Sequence, residues 1–474
     1  MEKKHLFRAF LFLFVYSLHA QDFIKHTIDN SLSFARGQEL VDLNDDNNID
    51  VVVVSRDTGE ILCWFGDGAG NFGPKTIIMD NIGGDNLGND VSTININGDV
   101  YPDILSVTNF LFPGTSIYVP RLAYWINNGD GTFQTAVQLD DYGVSCKGIL
   151  AADLNNDTHD DIVASGGVWT LEKTAYWLND TMGGFGSRTA IYNGGSTRGQ
   201  LLMDLNGDTF LDYIVSSIGA GTGTNVISYL NNQDGTFGTE TIIDGNHPSA
   251  NFMDSGLIDN DNIEDLIVSG INVISGDPSI IWYKGEGDGT FSTRNVITTV
   301  DINFEEIKLG DIDNDGDPDI AVTSFSDNQI YWYTNDGNGN FGSENLVDNT
   351  LNIGYAIDIA DVNNDGKLDL VATDADGVYW YENDMLLSTT EFEEPDSVTI
   401  YPNPNNGSFQ IEMPSENLLL DKVEILDITG RLIKREDNLN SHFIELDISD
   451  SKSGVYLVRV LSGEKSVIKK IVKH

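Results

Sequence analysis

The chain is short of positive charge. It holds 26 Lys+Arg against 74 Asp+Glu in 474 residues. With the first 20 residues (three basic, one acidic) and residues 398–474 (ten basic, eleven acidic) set aside, 13 basic and 62 acidic side chains remain. Nucleic acid is held by Lys and Arg that release counterions from its phosphates, so nucleic-acid binding is excluded. Cysteine is almost missing: Cys63 and Cys146 stand alone. Disulfides therefore do not hold the fold together, and two buried free thiols are the plainer reading beside a single bridge. No apolar run is long enough to span a bilayer, which leaves no transmembrane segment. No stretch repeats apolar residues at helical spacing. GxSxG and HExxH do not occur. Two GxGxxG strings, Gly68–Gly73 and Gly337–Gly342, open strands rather than helices, which argues against a nucleotide site.

What is present begins with a signal. Lys3, Lys4 and Arg8 precede the apolar run Ala9–Tyr16, and Ala20 is a cleavage candidate, so residues 1–20 read as an export peptide. Gly is abundant at 48 and Pro modest at 11, a composition of strands and turns.

An acidic loop then recurs seven times, starting at Asp42, Asn95, Asp153, Asp204, Leu257, Asp311 and Asp361. Each loop leads into a short β-branched run and then an aromatic strand, such as YWI at 124 or YWY at 331. In six units a Gly-rich turn and a Phe follow (Phe72, Phe133, Phe185, Phe237, Phe291, Phe341), and the Phe is expected to open a last strand. Apolar runs joined by Asp-Gly turns are hairpin signals. The unit is four antiparallel strands, a propeller blade. The seventh unit stops near Asp384 without its last strand, while Phe23–Ile28 matches Phe72–Ile77 in spacing and type. The expected fold is all-β: a seven-bladed β-propeller over residues 21–384, closed by the N-terminal strand, which removes free sheet edges. Residues 385–397 read as a polar acidic linker and 398–474 as a small β-sandwich.

These residues resemble a known family. The region from about Asp22 to Asp384 looks like an FG-GAP (or VCBS-type) repeat propeller, the architecture of integrin α-subunit heads. Phe-Gly stands at 72, 185, 237 and 341, although the family's Gly-Ala-Pro element is not evident. The ordering YPNP…G.F, D.TGR, SG.Y.V.V and a Lys-rich end resembles the C-terminal sorting domain of type IX secretion cargo. That resemblance implies the type IX machinery as a partner and an extracellular or outer-membrane-surface location. A carbohydrate-binding sandwich is the alternative for this segment.

The acidic loops have the chemistry of Ca²⁺ sites, because a hard cation takes six to eight oxygens. Positions 1, 3, 5 and 9 supply Asp42/Asn44/Asp46/Asp50, Asn95/Asn97/Asp99/Asp103, Asp153/Asn155/Asp157/Asp161 and Asp204/Asn206/Asp208/Asp212. The later loops supply Asp259/Asp261/Asp265, Asp311/Asp313/Asp315/Asp319 and Asp361/Asn363/Asp365/Asp369. The second has lower charge and the fifth lacks a first ligand, so about six mainly structural sites are expected. Solvated Asx turns are the alternative for any one loop. At ten times Kd each filled site stabilises the fold by about 1.4 kcal/mol, and six give on the order of 8.

Trp64, Trp125, Trp177, Trp282, Trp332 and Trp380 share one place in the repeat, which favours packing between blades over sugar stacking. Trp169 lies outside the pattern. With Phe110, Phe112, Tyr118 and Arg121, it forms the candidate ligand set, on long loops expected at the face opposite the acidic loops. No catalytic constellation stands out. The expected function is a secreted or surface binding module, an adhesin for glycan or protein ligands. A polysaccharide lyase or sugar dehydratase on the same propeller, and a purely structural surface protein, are the alternatives.

Overall fold

In the computed structural model the described residues are 23–79, 90–111, 118–140, 146–166, 174–192, 196–218, 224–247, 250–270, 279–299, 302–384, 398–413, 419–427, 432–449, 451–452, 454–462 and 465–474. The export peptide and the linker lie outside them. The chain divides into two compact units, residues 1–385 and 386–474. Among the described residues every regular element is a strand.

Among the described residues the first unit holds seven four-stranded antiparallel sheets. Their first strands are Ala35–Val41, Val91–Ile94, Cys146–Ala152, Ser196–Met203, Ala250–Gly256, Phe304–Gly310 and Ile357–Ala360. Neighbouring first strands touch, and that of the first sheet also meets that of the seventh. The seventh sheet takes its outer strand from Phe23–Asp29, which pairs with Val378–Asn383 through Phe23 opposite Asn383 and His26 opposite Trp380. The second strands form the core: Asp50–Ser55, Asp161–Gly166, Asp265–Gly270, Asp319–Ser324 and Asp369–Thr373 are buried throughout. Sheets covered on both faces need continuous apolar runs rather than alternation, which is why each segment follows its Asp with consecutive apolar residues, as in Val51–Val54 and Leu266–Val268.

The six repeat tryptophans are all buried, between 1% and 6% exposed, and pack as core rather than as a surface for sugars. Glycines of the neighbouring turn make room for them. A Cβ on Gly70 (φ +76°) would lie 2.2 Å from the Trp380 ring of the seventh sheet, so only glycine fits this turn.

The Phe residues behave differently from expectation in four sheets. Phe72, Phe133, Phe185 and Phe341 make isolated bridges, and the outer strand starts several residues later. After Phe72 the amide of Gly73 turns back onto the Phe65 carbonyl (2.8 Å), and Pro74 has no N–H for the ladder. Phe237 and Phe291 do open their strands.

The second unit pairs a three-stranded sheet (Thr399–Tyr401, Ser408–Glu412, Phe443–Asp447) with a four-stranded one. Phe409, Ile411, Val423, Leu446, Val458 and Ile471 are among its core residues. The YPNPNNG segment pins the last strand. Asn403 donates to the Lys470 carbonyl and accepts from the Val472 amide, both at 2.8 Å, and the Asn405 amide donates to the Val472 carbonyl.

Candidate functional site

Each acidic loop follows a first strand and is wound by its own side chains. The position-1 Asp accepts backbone N–H bonds from positions 5 and 6: Asp153 from Asp157 and Thr158, Asp311 from Asp315 and Gly316, Asp361 from Asp365 and Gly366. Position 5 accepts from position 7, as in Asp46 to Asn48 and Asp315 to Asp317. These bonds hold the loop in a tight curl with carboxylates facing inward.

The third-position asparagines, expected from the sequence as cation ligands, have a different first task in the structure. Asn44, Asn97, Asn155, Asn206 and Asn363 each turn Oδ1 onto the position-5 amide of their own loop: Asp46, Asp99, Asp157, Asp208 and Asp365, at 2.9 to 3.2 Å. Asn44 and Asn97 also donate through Nδ2 to the Asp46 and Asp99 carboxylates. A neutral amide is satisfied by a backbone N–H two residues on, so these side chains brace the curl. What each has left for a cation is the second lone pair of its carbonyl oxygen. At this position Asn braces the curl and keeps an oxygen lone pair to share, whereas Asp259 and Asp313 in the fifth and sixth loops bring a charge that Asn lacks.

The ninth position has a second role as well. Asp50, Asp103, Asp161, Asp212, Asp265, Asp319 and Asp369 are completely buried. One oxygen of each accepts the amide of loop position 2, and the other accepts an amide at the end of the third strand. Burial pushes their carboxyls up, to about 6 for Asp50, Asp103, Asp212, Asp265 and Asp369 and about 7 for Asp161 and Asp319.

A residue that sequence reasoning passed over completes this layer. Asn127, Asn179, Asn231, Asn335 and Asn383 each donate through Nδ2 to the position-2 carbonyl of the preceding sheet's loop: Leu43, Ile96, Leu154, Ile258 and Ile312. The signal was available as an Asn recurring just after the aromatic strand. Gly66 and Gly285 stand at that place in the first and fifth sheets.

In the sixth loop one oxygen from each of Asp311, Asp313 and Asp315 lies within 4.8 Å of the others. Burial, then the like charges of Asp315 and Asp311, push Asp313 up to about 6. Its Oδ1 is buried without a hydrogen-bond partner. Three converging carboxylates with a bare inward oxygen are a donor set that fits Ca²⁺. The second loop is weaker, since the Asn95 side chain accepts from Gly98 and donates to the Asp99 carbonyl. In the fifth loop a lysine stands in: Lys284 Nζ bonds Asp259, and Asp261 at 2.6 Å. Other sheets place Phe65, Ile126, Leu178, Leu230, Thr334 or Glu382 at the same strand position.

The opposite ends of the first strands line a cavity of about 130 Å³ that opens to solvent. Arg36, Arg198, Asn251, Phe252, Glu305 and Tyr355 line it. Tyr355 is its aromatic floor, with Phe34 and Phe325 rings each 6.2 Å away and the Arg36 guanidinium 5.3 Å above it. Arg36 also reaches Glu305 (3.4 Å). Beside this floor Ile353 sits at φ +64° and Phe34 at φ +52°, a strained backbone for a β-branched and a bulky residue. Deeper in, Glu39, Asp90, Asp254, Glu306 and Lys308 line a continuation of the cavity. Burial pushes Glu39 and Glu306 up to about 8 and Asp90 to about 7. Burial opposes the charge on Lys308, but Asp358, Glu306, Asp254 and Glu39 outweigh it and raise its pKa.

Of the ligand candidates read from the sequence, Phe112 and Trp169 lie outside the described residues. Phe110, Tyr118 and Arg121 are placed in backbone only, in the hairpin of Asp103–Leu111 and Tyr118–Trp125, where Phe110 faces Val119.

Comparison with known proteins places both units. The FG-GAP-like repeat model matches residues 258–322 and 311–372. The chain carries FG-GAP-like repeats. Such repeats often bind Ca²⁺, and the Asp311 cluster falls inside the matched region. The secretion system C-terminal sorting domain model matches residues 399–474, which indicates export by type IX secretion to the extracellular or cell-surface space. No curated protein matches the sequence. Among solved structures, an Agrocybe aegerita lectin that recognises non-reducing terminal N-acetylglucosamine is 18% identical, covering 67% of this chain and 81% of its own, with a TM-score of 0.49. BBS1N in complex with ARL6DN is 11% identical, covering 78% and 98%, with a TM-score of 0.48. Residues 258–372 thus carry FG-GAP-like repeats inside an all-β unit of four-stranded sheets, and the C-terminal domain marks the chain for export.

Proposed function

We propose that this protein is a Ca²⁺-stabilised binding module that holds a glycan or protein ligand at the channel mouth opposite its acidic loops, and that it is not a catalyst. The observation that carries the reading is the floor of Tyr355, Phe34 and Phe325 with Arg36 above it, at the only end of the channel where aromatic rings and guanidinium groups gather among the described residues. Aromatic rings beside planar donors suit sugar rings and peptide side chains alike. Calcium acts on the other face, where it neutralises loops that otherwise repel themselves. A glycan array probed with the exported chain in millimolar calcium tests this, with a chelator arm run below the melting point of the apo protein. Hits lost on Tyr355→Ala support the reading; an array without hits moves the ligand to the protein class.

One observation favours a second reading, an enzyme. Glu39 and Glu306, held near 8 beside a cavity, are suited to proton transfer at neutral pH. New reducing or unsaturated sugar ends from a glycan substrate, lost on Glu306→Gln, would establish it.

A further inference from the structure

The cations of the propeller are few, and most are engaged. Lys25 pairs with Asp348, Lys75 with Asp29, Lys284 with Asp259 and Asp261, Arg294 with Asp244, Lys308 with Asp358 and Lys367 with Asp365. In a chain this acidic an unpaired cation is the exception. Arg56 and Arg198 are such exceptions, since neither makes an ion pair or a side-chain hydrogen bond to another described residue. Both lie on the face opposite the acidic loops. Arg198 lines the mouth cavity, and Arg56 follows the buried strand Asp50–Ser55, its amide bonded to the Phe34 carbonyl (2.8 Å). Burial raises the Tyr355 hydroxyl, and the charges of Arg36 and Arg56 act against that rise, so both guanidiniums lie within electrostatic reach of the aromatic floor.

Resting on the binding role proposed above, we infer that the channel mouth selects an acidic sugar, one bearing a carboxylate or sulfate, with Arg198 and Arg56 as the groups that read its charge. A free guanidinium offers a planar fork of donors that matches an anionic oxygen pair. Arg36 is already tied to Glu305 and Tyr355 and serves the floor rather than the anion. The surrounding acidic surface narrows the choice. A long polyanion lying across the face meets carboxylates, whereas a single charged sugar end reaching into the mouth meets Arg198 in its wall, with Arg56 acting through the field at the Tyr355 floor. The neighbouring rings of Tyr355 and Phe34 supply the apolar contact for the sugar face.

The test is titration calorimetry on the calcium-loaded full chain with three probes at matched free calcium. They are a galacturonate hexasaccharide, the same hexasaccharide with its carboxyls reduced, and a sulfated neutral hexasaccharide. At least one acidic probe binds tenfold or more tightly than the neutral one. Arg198→Gln weakens that probe at least tenfold and Arg56→Gln several-fold, with melting midpoints unchanged. Which acidic probe responds tells carboxylate from sulfate. Equal affinity for the neutral probe, or acidic binding that survives Arg198→Gln, overturns the inference while leaving glycan binding standing. No binding of any probe, together with an empty glycan array, overturns both.

Discussion

In the fifth acidic loop a lysine ammonium lies against Asp259 and Asp261. In the sixth, Asp311, Asp313 and Asp315 face one another and no described cation pairs with them. The electrostatics follow. Hydrogen bonding to Lys284 holds Asp261 below the ordinary carboxylate range, whereas burial and like charges push Asp313 up to about 6. The fifth loop has Leu257 where the others have Asp or Asn, and it gains a positive charge from its own sheet instead. The curl itself is therefore generic, while the source of positive charge differs: an internal ammonium in one loop, and in its neighbours, on the proposed function, a bound divalent cation.

Calcium removal breaks the comparison most strongly. For the six sites expected from the sequence, each at ten times Kd, the loss is on the order of 8 kcal/mol, comparable to the stability of a whole domain. Chelation is expected to lower the melting midpoint by well over ten degrees. Hydrogen exchange should show 311–319 and 361–369 losing protection first, while 257–265 stays protected; equal loss in all three would mean that Lys284 does not substitute for the ion.

Next in size is Asp319→Ala. It strips acceptors from the buried amides of Ile312, Asp313 and Asn335, at about 3 kcal/mol or more. Asp265→Ala is expected to cost a similar amount in urea unfolding, because the ninth-position pin serves both loops alike. A cost confined to Asp319 would assign that residue mainly to the metal.

The channel carboxylates add a pH dependence of the same sign as that of the buried ninth-position carboxylates of both loops. Glu39, Glu306 and Asp90 face Asp254, Asp358, Lys308, Arg36 and Arg198 across the cavity, and their folded pKa values of about 8, 8 and 7 exceed those of the unfolded chain. A raised carboxyl pKa means that the folded state binds the proton more tightly. The stabilisation is therefore fully present below the ordinary carboxylate pKa of about 4 and is lost as pH rises from there through 7 to 8. Thermal melts of the calcium-free chain should give a midpoint several degrees higher at pH 5.5 than at pH 8.5. A flat profile would mean that the channel carboxylates are as solvated as in the unfolded chain.

Smallest in stability, and most specific, is Lys284→Met. The partly exposed pair contributes about 1 kcal/mol or less. Combined with Leu257→Asp it should convert the fifth loop into a copy of the sixth, and metal analysis should then find one more calcium per chain than in the parent. An unchanged count would show that the fifth curl is not built to hold an ion.

Much of this molecule is readable along the chain. The acidic loops, buried strands and aromatic strands are local patterns: alternation of turn and strand chemistry every fifty or so residues, with Asp and Asn curling their own backbone. The N-terminal match of Phe23–Ile28 to Phe72–Ile77 anticipated the strand that pairs with Val378–Asn383. The Phe-opened outer strand was read less well, because a bridge at Phe72 and a ladder from Phe237 differ in hydrogen bonding that residue type does not report. The same limit applies within the loops. Residue type shows that Asn155 or Asn363 carries an oxygen, but not that this oxygen already accepts an amide of its own turn.

By itself, then, the sequence determined the recurring acidic loops, the strand-rich character and the separate C-terminal segment, since each rests on residues close together in the chain. Only the tertiary structure decided which side chains meet across the ring. Asn335 reaches Ile258 from 77 positions away, Arg36 reaches Glu305 from 269, and residues of separate first strands converge at the mouth. The physical reason is that these partners are chosen by the side-by-side packing of sheets around a common axis, a geometry no local stretch of chain encodes.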